Sequence, residues 1–243
     1  MTDIHCHILY GVDDGSDCLS ESVEMARIAY ESGTRMIIAT PHANIPGTDG
    51  NPWNAEAEAL LVNLNLKLKS EGIGLTVCPG QEVFAFGNLE KKISDKEVIS
   101  LNGSRYLLLE FDFEEQGDYL LDRCGELIQL GLTPVVAHPE RYRALQEDMD
   151  VAYDLKEMGC LFQLNKGSLF GSFGEDARET AHRFLGETLA DFIASDAHSP
   201  YVRTPYMADA HELISGEYSP DYADFLFSEN PALLIADKEI NPF

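Results

Sequence analysis

Short apolar segments alternate with longer amphipathic segments along the chain. The strand-length apolar segments cover residues 3–9, 36–39, 75–78, 106–111, 133–137, 160–165 and 192–195. Continuous apolar runs of this length are typical of strands that are buried on both faces of a parallel sheet. Between them, apolar residues recur at helical spacing, as at Leu61, Leu64 and Leu68, and glycines such as Gly33 and Gly72 follow the predicted helices.

The alternation of strand and helix repeats about seven times. Parallel strands need a crossover connection, which a helix supplies, so the pattern predicts an α/β fold with a parallel sheet. No dinucleotide-type glycine-rich turn is visible, which favours a closed or nearly closed (β/α) barrel over an open doubly wound sheet. We predict one domain over residues 1–243, with its first helix beginning near Ser20 and its last at Asn230 and Pro231.

The charge of the chain narrows the choice of partners. There are 42 acidic and 17 basic residues, for a formal net charge of -25. Such a surface repels nucleic acid and anionic membranes, so we expect neither as a partner. No apolar run approaches the ~18–20 residues of a membrane span, and the first residues resemble a strand rather than a signal peptide. The five cysteines are odd in number and widely spaced, which is typical of reduced thiols in a cytoplasmic protein.

Metal-ligand side chains lie in or directly after the predicted strands. His5 and His7 are two residues apart in the first strand, so both point to the same side. The later strands end in His42, Glu82, Glu110, His138, Asn165, Asp196 and His198. Because strand ends share one mouth in an α/β barrel, we expect these side chains to meet there. The other two histidines, His182 and His211, fall in predicted helices and are expected to be surface or packing residues.

Counting the candidate ligands predicts more than one ion. The nine candidates are His5, His7, Asp14, His42, Glu82, Glu110, His138, Asp196 and His198. One ion takes ~4–6 ligands, and a mixed histidine and carboxylate set suits Mn²⁺, Fe²⁺ or Zn²⁺ better than Ca²⁺ or Mg²⁺. Two or three ions ~3.5–4 Å apart would present a bridging water as hydroxide and bind phosphate oxygens. Arg141 and Arg203 follow two of these strands and are candidates to bind phosphate, with a surface salt bridge as the alternative for each.

An ordered set of motifs resembles the polymerase-and-histidinol-phosphatase (PHP) superfamily over essentially the whole chain. Within it, the set is most similar to the bacterial manganese-dependent tyrosine phosphatases of capsule and exopolysaccharide operons. The motifs are Asp-Ile-His-Cys-His-Ile-Leu at 3–9 with Asp-Asp-Gly at 13–15, Ala-Thr-Pro-His at 39–42, Gly-Gln-Glu at 80–82, Leu-Glu-Phe at 109–111, Ala-His-Pro-Glu-Arg at 137–141 and Ser-Asp-Ala-His at 195–198.

The resemblance implies a distorted (β/α)₇ barrel, Mn²⁺ as the cofactor and hydrolysis by metal-bound hydroxide, with Fe²⁺, Zn²⁺ or Mg²⁺ as alternative ions. The implied substrate is phosphotyrosine on the tail of an autophosphorylating bacterial tyrosine kinase that controls polysaccharide export. The implied ligand sets are His5, His7, Glu82 and Asp196 for the first ion, Glu82, Glu110 and His138 for the second, and Asp14, His42 and His198 for the third. Arg141 and Arg203 would contact the phosphoryl group, and Asp14 is chosen over Asp13 as the ligand.

The sequence excludes one alternative function and leaves others open. A cysteine-dependent tyrosine phosphatase is excluded, because no cysteine has an arginine six positions later. A small-molecule phosphatase such as one for histidinol phosphate would use the same ions, and so would an exonuclease, which the net charge argues against. The non-enzyme alternative is a metal-binding regulator of the kinase. Four aromatic residues could line the substrate pocket and pack against an aromatic ring, or could belong to the hydrophobic core. They are Trp53, Phe84, Phe86 and Tyr201. The oligomeric state is left open.

Overall fold

The computed structural model describes residues 1–48, 50–241 and 243. Its strands are β1 (Thr2–Cys6), β2 (Met36–Ala39), β3 (His42–Ala43), β4 (Thr76–Pro79), β5 (Glu82–Phe84), β6 (Tyr106–Glu110), β7 (Thr133–Ala137), β8 (Leu161–Asn165) and β9 (Phe192–Ala194). Its α-helices are α1 (Leu19–Glu31), α2 (Ala55–Ser70), α3 (Leu89–Ser94), α4 (Gly117–Gln129), α5 (Arg143–Glu147), α6 (Asp150–Glu157), α7 (Lys166–Leu169), α8 (Glu175–Gly186), α9 (Ala208–Glu217), α10 (Pro220–Asp224) and α11 (Asn230–Ile235).

The strands form two parallel sheets, in the orders β1-β2-β4 and β3-β5-β6-β7-β8-β9. The predicted second strand is continued beyond its end by β3, which lies in the other sheet, and the predicted third strand is continued in the same way by β5. The first break falls at Pro41, which has no N–H to donate to a ladder. The second falls at Gly80, where a Cβ would lie 2.6 Å from Cγ2 of Ile38. The seven strand positions of the barrel are therefore kept, but the sheet changes at two of them.

The barrel closes through a few hydrogen bonds rather than a full ladder. A single bridge pairs Cys6 with Ala197 between the first and last strands. The N–H of Asp196 donates to the carbonyl of His5 at 2.8 Å, and the N–H of His7 donates to the carbonyl of Ala197 at 2.9 Å. The buried carboxylate of Asp3 adds a third link by accepting from the N–H of Ser195 at 3.0 Å. This arrangement is the distorted (β/α)₇ barrel that the resemblance implied.

Alternate residues of each strand fill the barrel interior or pack under the helices. Leu108 of β6 and Val135 of β7 belong to a buried cluster that also includes Ile4, Ile38 and Phe192 from other strands. Since these side chains come from strands of both sheets, they fill the inside of the barrel. Their neighbours along the strands belong to the larger cluster beneath the helices, with Leu107, Leu109, Val136 and Phe162 among them.

Two predicted helix starts lie within one residue of the observed ones. Helix α1 begins at Leu19 after an extended Cys18, so Ser20 lies inside the first turn and is not the N-cap. Helix α11 begins at Asn230 but continues a helical backbone, because Glu229 before it is the last residue of a π-helical segment, Phe225–Glu229. Asn230 is buried, and its side-chain amide donates to the carbonyl of Asp191 at 2.9 Å. A tertiary hydrogen bond therefore explains this asparagine.

Among the residues described, no helix has both the length and the apolar character that a bilayer crossing requires. All five cysteines are free thiols. Cys6, Cys124 and Cys160 are buried, as small apolar residues would be, whereas Cys18 is exposed. The expectation that the cysteines are reduced and mostly buried agrees with this placement.

Candidate metal centre

The period of two along the strands directs ligand side chains into the barrel mouth. On β6, Glu110 is two residues beyond the interior residue Leu108, so it shares the inner face of the strand. Asp196 lies two residues beyond the end of β9 in a left-handed conformation, and its carboxylate faces His5 and His7 at the same mouth. Both carboxylates thus lie above the apolar filling of the barrel, at the carboxyl-terminal ends of the strands. Glu110 is 9% exposed and Asp196 is 2% exposed.

The first group of ligands contains His5, His7, Glu82 and Asp196. The Nε2 atoms of the two histidines are 3.2 Å apart. Oε2 of Glu82 lies 3.2 Å from Nε2 of His5 and 3.3 Å from Nε2 of His7. Oδ1 of Asp196 lies 3.5 Å from each of these nitrogens. Four ligand atoms from three separate strands therefore surround one point, as the predicted first ion requires.

The second group is centred on the two glutamates. Nε2 of His138 lies 2.8 Å from Oε1 of Glu82 and 3.7 Å from Oε1 of Glu110. His42 also reaches this group, because its Nδ1 lies 3.0 Å from Oε2 of Glu82 and 3.4 Å from Oε2 of Glu110. Glu82 is thus common to the first and second groups, which is the position of a bridging carboxylate.

The third group lies nearer to solvent. Oδ1 of Asp14 is 3.5 Å from Nε2 of His42 and 3.5 Å from Nε2 of His198. Ligand atoms of these three residues and of His7 lie within 4.8 Å of one another. The side chain of Asp14 is 68% exposed, so this group forms the outer rim of the mouth.

Asp13, the rejected alternative to Asp14, occupies a different place. Its Oδ2 accepts from the backbone N–H of His42 at 2.9 Å and lies 2.7 Å from Nδ1 of His7. Its Oδ1 accepts from the N–H of Gly15 at 3.0 Å. A carboxylate on the far nitrogen of a metal-binding imidazole fixes the ring orientation and tautomer. The geometry therefore favours Asp14 as the ligand and gives Asp13 the orienting position.

Three residues at the mouth lie in a left-handed backbone conformation that non-glycine residues seldom adopt. They are His138 (φ 34°), Asp196 (φ 48°) and Arg203 (φ 52°). Such conformations cost on the order of 1–3 kcal/mol each and persist where the surrounding structure enforces them. That all three are predicted site residues indicates that the fold stores strain here to aim these side chains.

The two predicted arginines meet at Asp196. Nη2 of Arg203 lies 2.5 Å from Oδ2 of Asp196, and Nη1 of Arg141 lies 3.9 Å from the same oxygen. Both side chains remain partly exposed, at 31% for Arg203 and 21% for Arg141. The guanidinium groups are therefore at the mouth beside the ligand groups, and neither is an ordinary ion pair on a distant surface.

Electrostatics at the mouth favours positive charge. Burial opposes a charge on His7, but the carboxylates of Asp13, Asp196 and Glu82 together outweigh burial and raise the pKa of His7 well above its usual range. Burial also opposes charge on His42, yet the nearby carboxylates of Glu110 and Glu82 raise its pKa to about 10. Burial would raise the pKa of Asp196, but its neighbours, chiefly His5, outweigh burial and hold this pKa well below its usual range. The same negative field that holds protons on these imidazoles would hold cations.

Several buried polar atoms at the centre have no hydrogen-bond partner in the described structure. They are Oε2 of Glu82, Nδ1 of His42 and Nδ1 of His138. Native proteins pair nearly all such atoms, so an exception at a site needs an explanation. Oε2 of Glu82 faces three imidazole nitrogens at 3.0–3.3 Å without the geometry of a hydrogen bond. A carboxylate oxygen and imidazole nitrogens facing one another in this way fit divalent metal ions.

The protein family described as capsular polysaccharide synthesis, CpsB/CapC, matches residues 1–236. The chain belongs to this family. It is 38% identical over 240 residues to the tyrosine-protein phosphatase YwqE of Bacillus subtilis, covering 99% of this chain and 93% of YwqE. The resemblance to capsule phosphatases that the motifs indicated is thereby confirmed.

Solved structures agree with the CpsB/CapC assignment. A crystal structure from a study of YwqE of B. subtilis and CpsB of Streptococcus pneumoniae, described as unique metal-dependent tyrosine phosphatases, superposes with a TM-score of 0.93 at 37% identity and covers 100% of this chain and 97% of that one. The organophosphorus hydrolase of Deinococcus radiodurans superposes with a TM-score of 0.62 at 15% identity, covering 96% of this chain and 92% of that one. The latter likeness shows the barrel fold alone.

Three residues of this CpsB/CapC chain occupy orienting positions: Asp13, which was weighed only as a ligand, Asn165, which was expected at the mouth without a role, and Gln163, which the sequence interpretation missed. Oε1 of Gln163 lies 2.7 Å from Nδ1 of His5. The side-chain amide of Asn165 donates to Oδ2 of Asp196 at 2.5 Å and accepts from Gln163 at 2.9 Å. A signal was present, because polar residues at alternate positions of an otherwise apolar strand must face something polar. The helical histidines His182 and His211 lie in α8 and α9, away from the strand ends, as predicted.

Proposed function

We propose that the chain is a metal-dependent protein-tyrosine phosphatase that acts on an autophosphorylated bacterial tyrosine kinase and so regulates capsule or exopolysaccharide synthesis. The observation that carries the proposal is the convergence of nine ligand-type side chains on a mouth that also holds two arginines. The names of YwqE and CpsB supply the phosphotyrosine specificity, and the family description supplies the link to capsule synthesis.

The ligand groups suggest two or three ions, with Mn²⁺ as the resident metal and Fe²⁺, Zn²⁺ or Mg²⁺ as alternatives. His5, His7, Glu82 and Asp196 would hold the first ion, and Glu82, Glu110 and His138 the second. Asp14, His42 and His198 would hold the third. When bound, such ions act as Lewis acids toward phosphoryl oxygens and lower the pKa of water.

The chain's own residues bind and orient the substrate. Arg141 and Arg203 are placed to contact the phosphoryl oxygens, since guanidinium groups match phosphate geometry. Asp13 and Gln163 hold the imidazoles of His7 and His5 through their Nδ1 atoms, which leaves both Nε2 atoms facing the centre. Asp14 belongs to the outer ligand group, on the side from which a substrate arrives.

The wider surface suits this assignment. With a net charge of -25, the protein would draw an anionic substrate by bound metal ions and the two arginines at the mouth and not by a basic surface. Phe86 and Tyr201 follow strands at the mouth end and are 52% and 77% exposed, so aromatic side chains are available near the phosphate position. We propose one catalytic domain over residues 1–243 in the cytoplasm, with a phosphotyrosine-containing kinase tail as partner and without nucleic acid binding or membrane insertion.

A substrate comparison tests this proposal. Phosphotyrosine peptide, phosphoserine peptide and histidinol phosphate would be offered side by side to the Mn²⁺-loaded protein, and kcat/KM measured for each. We expect phosphotyrosine peptide to be preferred by at least about tenfold, since a 1.4 kcal/mol difference in transition-state binding suffices for that. A tenfold preference for histidinol phosphate would assign the site to a small-molecule phosphatase instead. No hydrolysis of any ester would support the metal-binding regulator.

A further inference from the structure

An aromatic residue that none of the ligand groups includes lies against both arginines. Phe173 follows α7 in a short turn, which is closed by a hydrogen bond from the N–H of Gly174 to the carbonyl of Gly171 at 3.2 Å. Both glycines are in the left-handed region, with φ of 98° and 75°. The N–H of Ser172, the residue before Phe173, donates to the carbonyl of Gly167 at 3.0 Å. The turn is therefore well defined, and so is the place where its phenylalanine leaves the backbone.

One side of the Phe173 ring is fixed by the backbone of α7. A Cβ at Gly167 would lie only 2.9 Å from Cε2 of Phe173, so the ring occupies the space that any larger residue there would need. The side chain of Phe173 is half-buried and not a member of the main core clusters. The ring is therefore held in a defined position at the edge of the mouth.

The ring contacts both guanidinium groups. Cζ of Arg141 is 4.4 Å from the ring centroid of Phe173, and Cζ of Arg203 is 5.4 Å from it. Arg141 has a second aromatic neighbour in Phe113, at 4.2 Å. Both distances to Phe173 are within the range in which a cation is attracted to an aromatic face. Phe173 is therefore the aromatic residue that the two arginines share.

Few other contacts hold the two guanidinium groups side by side. They carry like charges and share a single carboxylate oxygen, Oδ2 of Asp196. Nε of Arg203 is buried and donates no hydrogen bond in the described structure, so this arginine is held by fewer contacts than its burial would favour. Long flexible side chains lose conformational entropy when they bind an anion, and a neighbour that holds them beforehand reduces that cost.

We propose that Phe173 is a positioning residue that holds Arg141 and Arg203 together at the mouth so that both contact the same phosphoryl group. This inference rests on the proposed function. It deepens that function by assigning part of phosphate recognition to a residue outside the three ligand groups.

Substitution of Phe173 tests the proposal in the Mn²⁺-loaded protein. The variants are Phe173→Leu, which removes the aromatic face, and Phe173→Tyr, which keeps it. The affinity for inorganic phosphate would be measured by calorimetry, and KM and kcat with a phosphotyrosine peptide. We expect Phe173→Leu to weaken phosphate binding and raise KM by about fivefold to tenfold with kcat within about twofold, and Phe173→Tyr to stay within about twofold of the original.

The matched control is Phe170→Leu, an aromatic residue of the same segment that is 46% exposed and has no arginine over its ring in the described part of the chain. It should leave phosphate affinity unchanged, and bound manganese and the unfolding temperature should be unchanged in both leucine variants. In a background of Arg141→Gln with Arg203→Gln, Phe173→Leu should have no further effect. An equal loss in both leucine variants, a loss in Phe173→Tyr, or a loss that persists without the arginines would overturn the proposal. If the protein does not hydrolyse phosphotyrosine but its phosphate affinity responds to the variants as expected, only the proposed function is overturned.

Discussion

At the amino-terminal end of β8 and β9 the buried carboxylate of Asp191 has a lysine partner within the chain, whereas at the carboxyl-terminal end of the barrel one oxygen of the buried Glu82 carboxylate has no hydrogen-bond partner in the described structure. Nζ of Lys156 donates to Oδ2 of Asp191 at 2.5 Å, and the N–H of Phe162 donates to the same oxygen at 2.8 Å. Oε1 of Glu82 is hydrogen-bonded with Nε2 of His138 at 2.8 Å, but its Oε2 faces three other imidazole nitrogens without a hydrogen bond in the described structure. Both side chains are about 1% exposed.

The difference separates a structural carboxylate from a functional one. A lysine and a backbone N–H compensate Asp191 on the chain itself, so it needs no further cation. Imidazoles also serve as metal ligands, so we propose that an external cation completes the Glu82 site. In parallel barrels the amino-terminal face contributes to stability, and the carboxyl-terminal face carries the chemistry. The contrast between these two carboxylates follows that division.

The largest effect is expected at the mouth. Glu82→Gln removes a charged ligand that the first and second groups share, so we expect kcat/KM to fall about a thousandfold or more and bound manganese to decrease. Activity with a phosphotyrosine peptide and metal content by elemental analysis would be measured on the same samples. Because no lysine partner is left unpaired, the unfolding temperature of the metal-free protein should change little. Near-normal activity with full metal content would remove Glu82 from the centre.

The corresponding change at the other end is Lys156→Met. It leaves Asp191 buried without its cation, so we expect a loss of about 3–5 kcal/mol in the free energy of unfolding, while kcat/KM per folded molecule stays unchanged. Chemical denaturation of the metal-free protein measures the loss. Restoration of much of the stability by adding Asp191→Asn to Lys156→Met is the control. A fall in kcat/KM without a fall in stability would break the division between the two ends.

This pair also has a pH dependence with a definite sign. Burial raises the pKa of Asp191 above its unfolded value, against the opposing effect of Lys156. The folded state then binds the proton more tightly, so the stability contribution falls as the pH rises through the raised pKa. Removing Lys156 removes the opposing effect, and the Lys156→Met protein should therefore lose more stability at pH 8 than at pH 5. Equal losses at both pH values would show that the charge on Asp191 is not the cause.

An intermediate effect is expected one contact away from the centre. Asp13→Asn keeps the shape of the side chain that holds His7 but removes its charge, and we expect metal affinity or activity to fall about 10–100-fold. Titration of the metal-free protein with Mn²⁺ gives the affinity. The same measurement on Asp14→Asn separates the two neighbours, since loss of a direct ligand should exceed loss of an orienting residue. The reverse order would exchange their roles.

The smallest effect is expected on the helices. Nδ1 of His182 lies 3.0 Å from the hydroxyl of Tyr218, far in the structure from the strand ends that carry the other histidines. His182→Gln should change kcat/KM by less than about twofold, because surface substitutions away from special contacts have small effects. A tenfold loss would mean that the mouth is not the only chemically active region.

The strand ends were predictable because their signal is local. Alternation along β6 directs Glu110 inward, and the barrel brings the ends of all strands together, so residue type and position sufficed. The break that produces β5 was not predictable, because it depends on the close approach of Gly80 to Ile38.

The orienting contacts were missed for a related physical reason. Gln163 and His5 are 158 residues apart in the chain, and only the closed barrel brings their side chains to 2.7 Å. Phe173 similarly lies in a turn whose two glycines are visible in the sequence, but its arginine neighbours come from two other segments of the chain. Periodicity places a side chain on a face, whereas its partner across the mouth is decided by the tertiary fold.

The central claim is that this mouth is a metal centre that hydrolyses phosphotyrosine. The most direct measurement is a titration of chelator-treated protein with Mn²⁺, with hydrolysis of a phosphotyrosine peptide and bound metal followed in the same samples. We predict no activity in the metal-free protein and a return of activity that saturates at two or three ions per chain. Hydrolysis by protein shown to contain no metal would contradict the account.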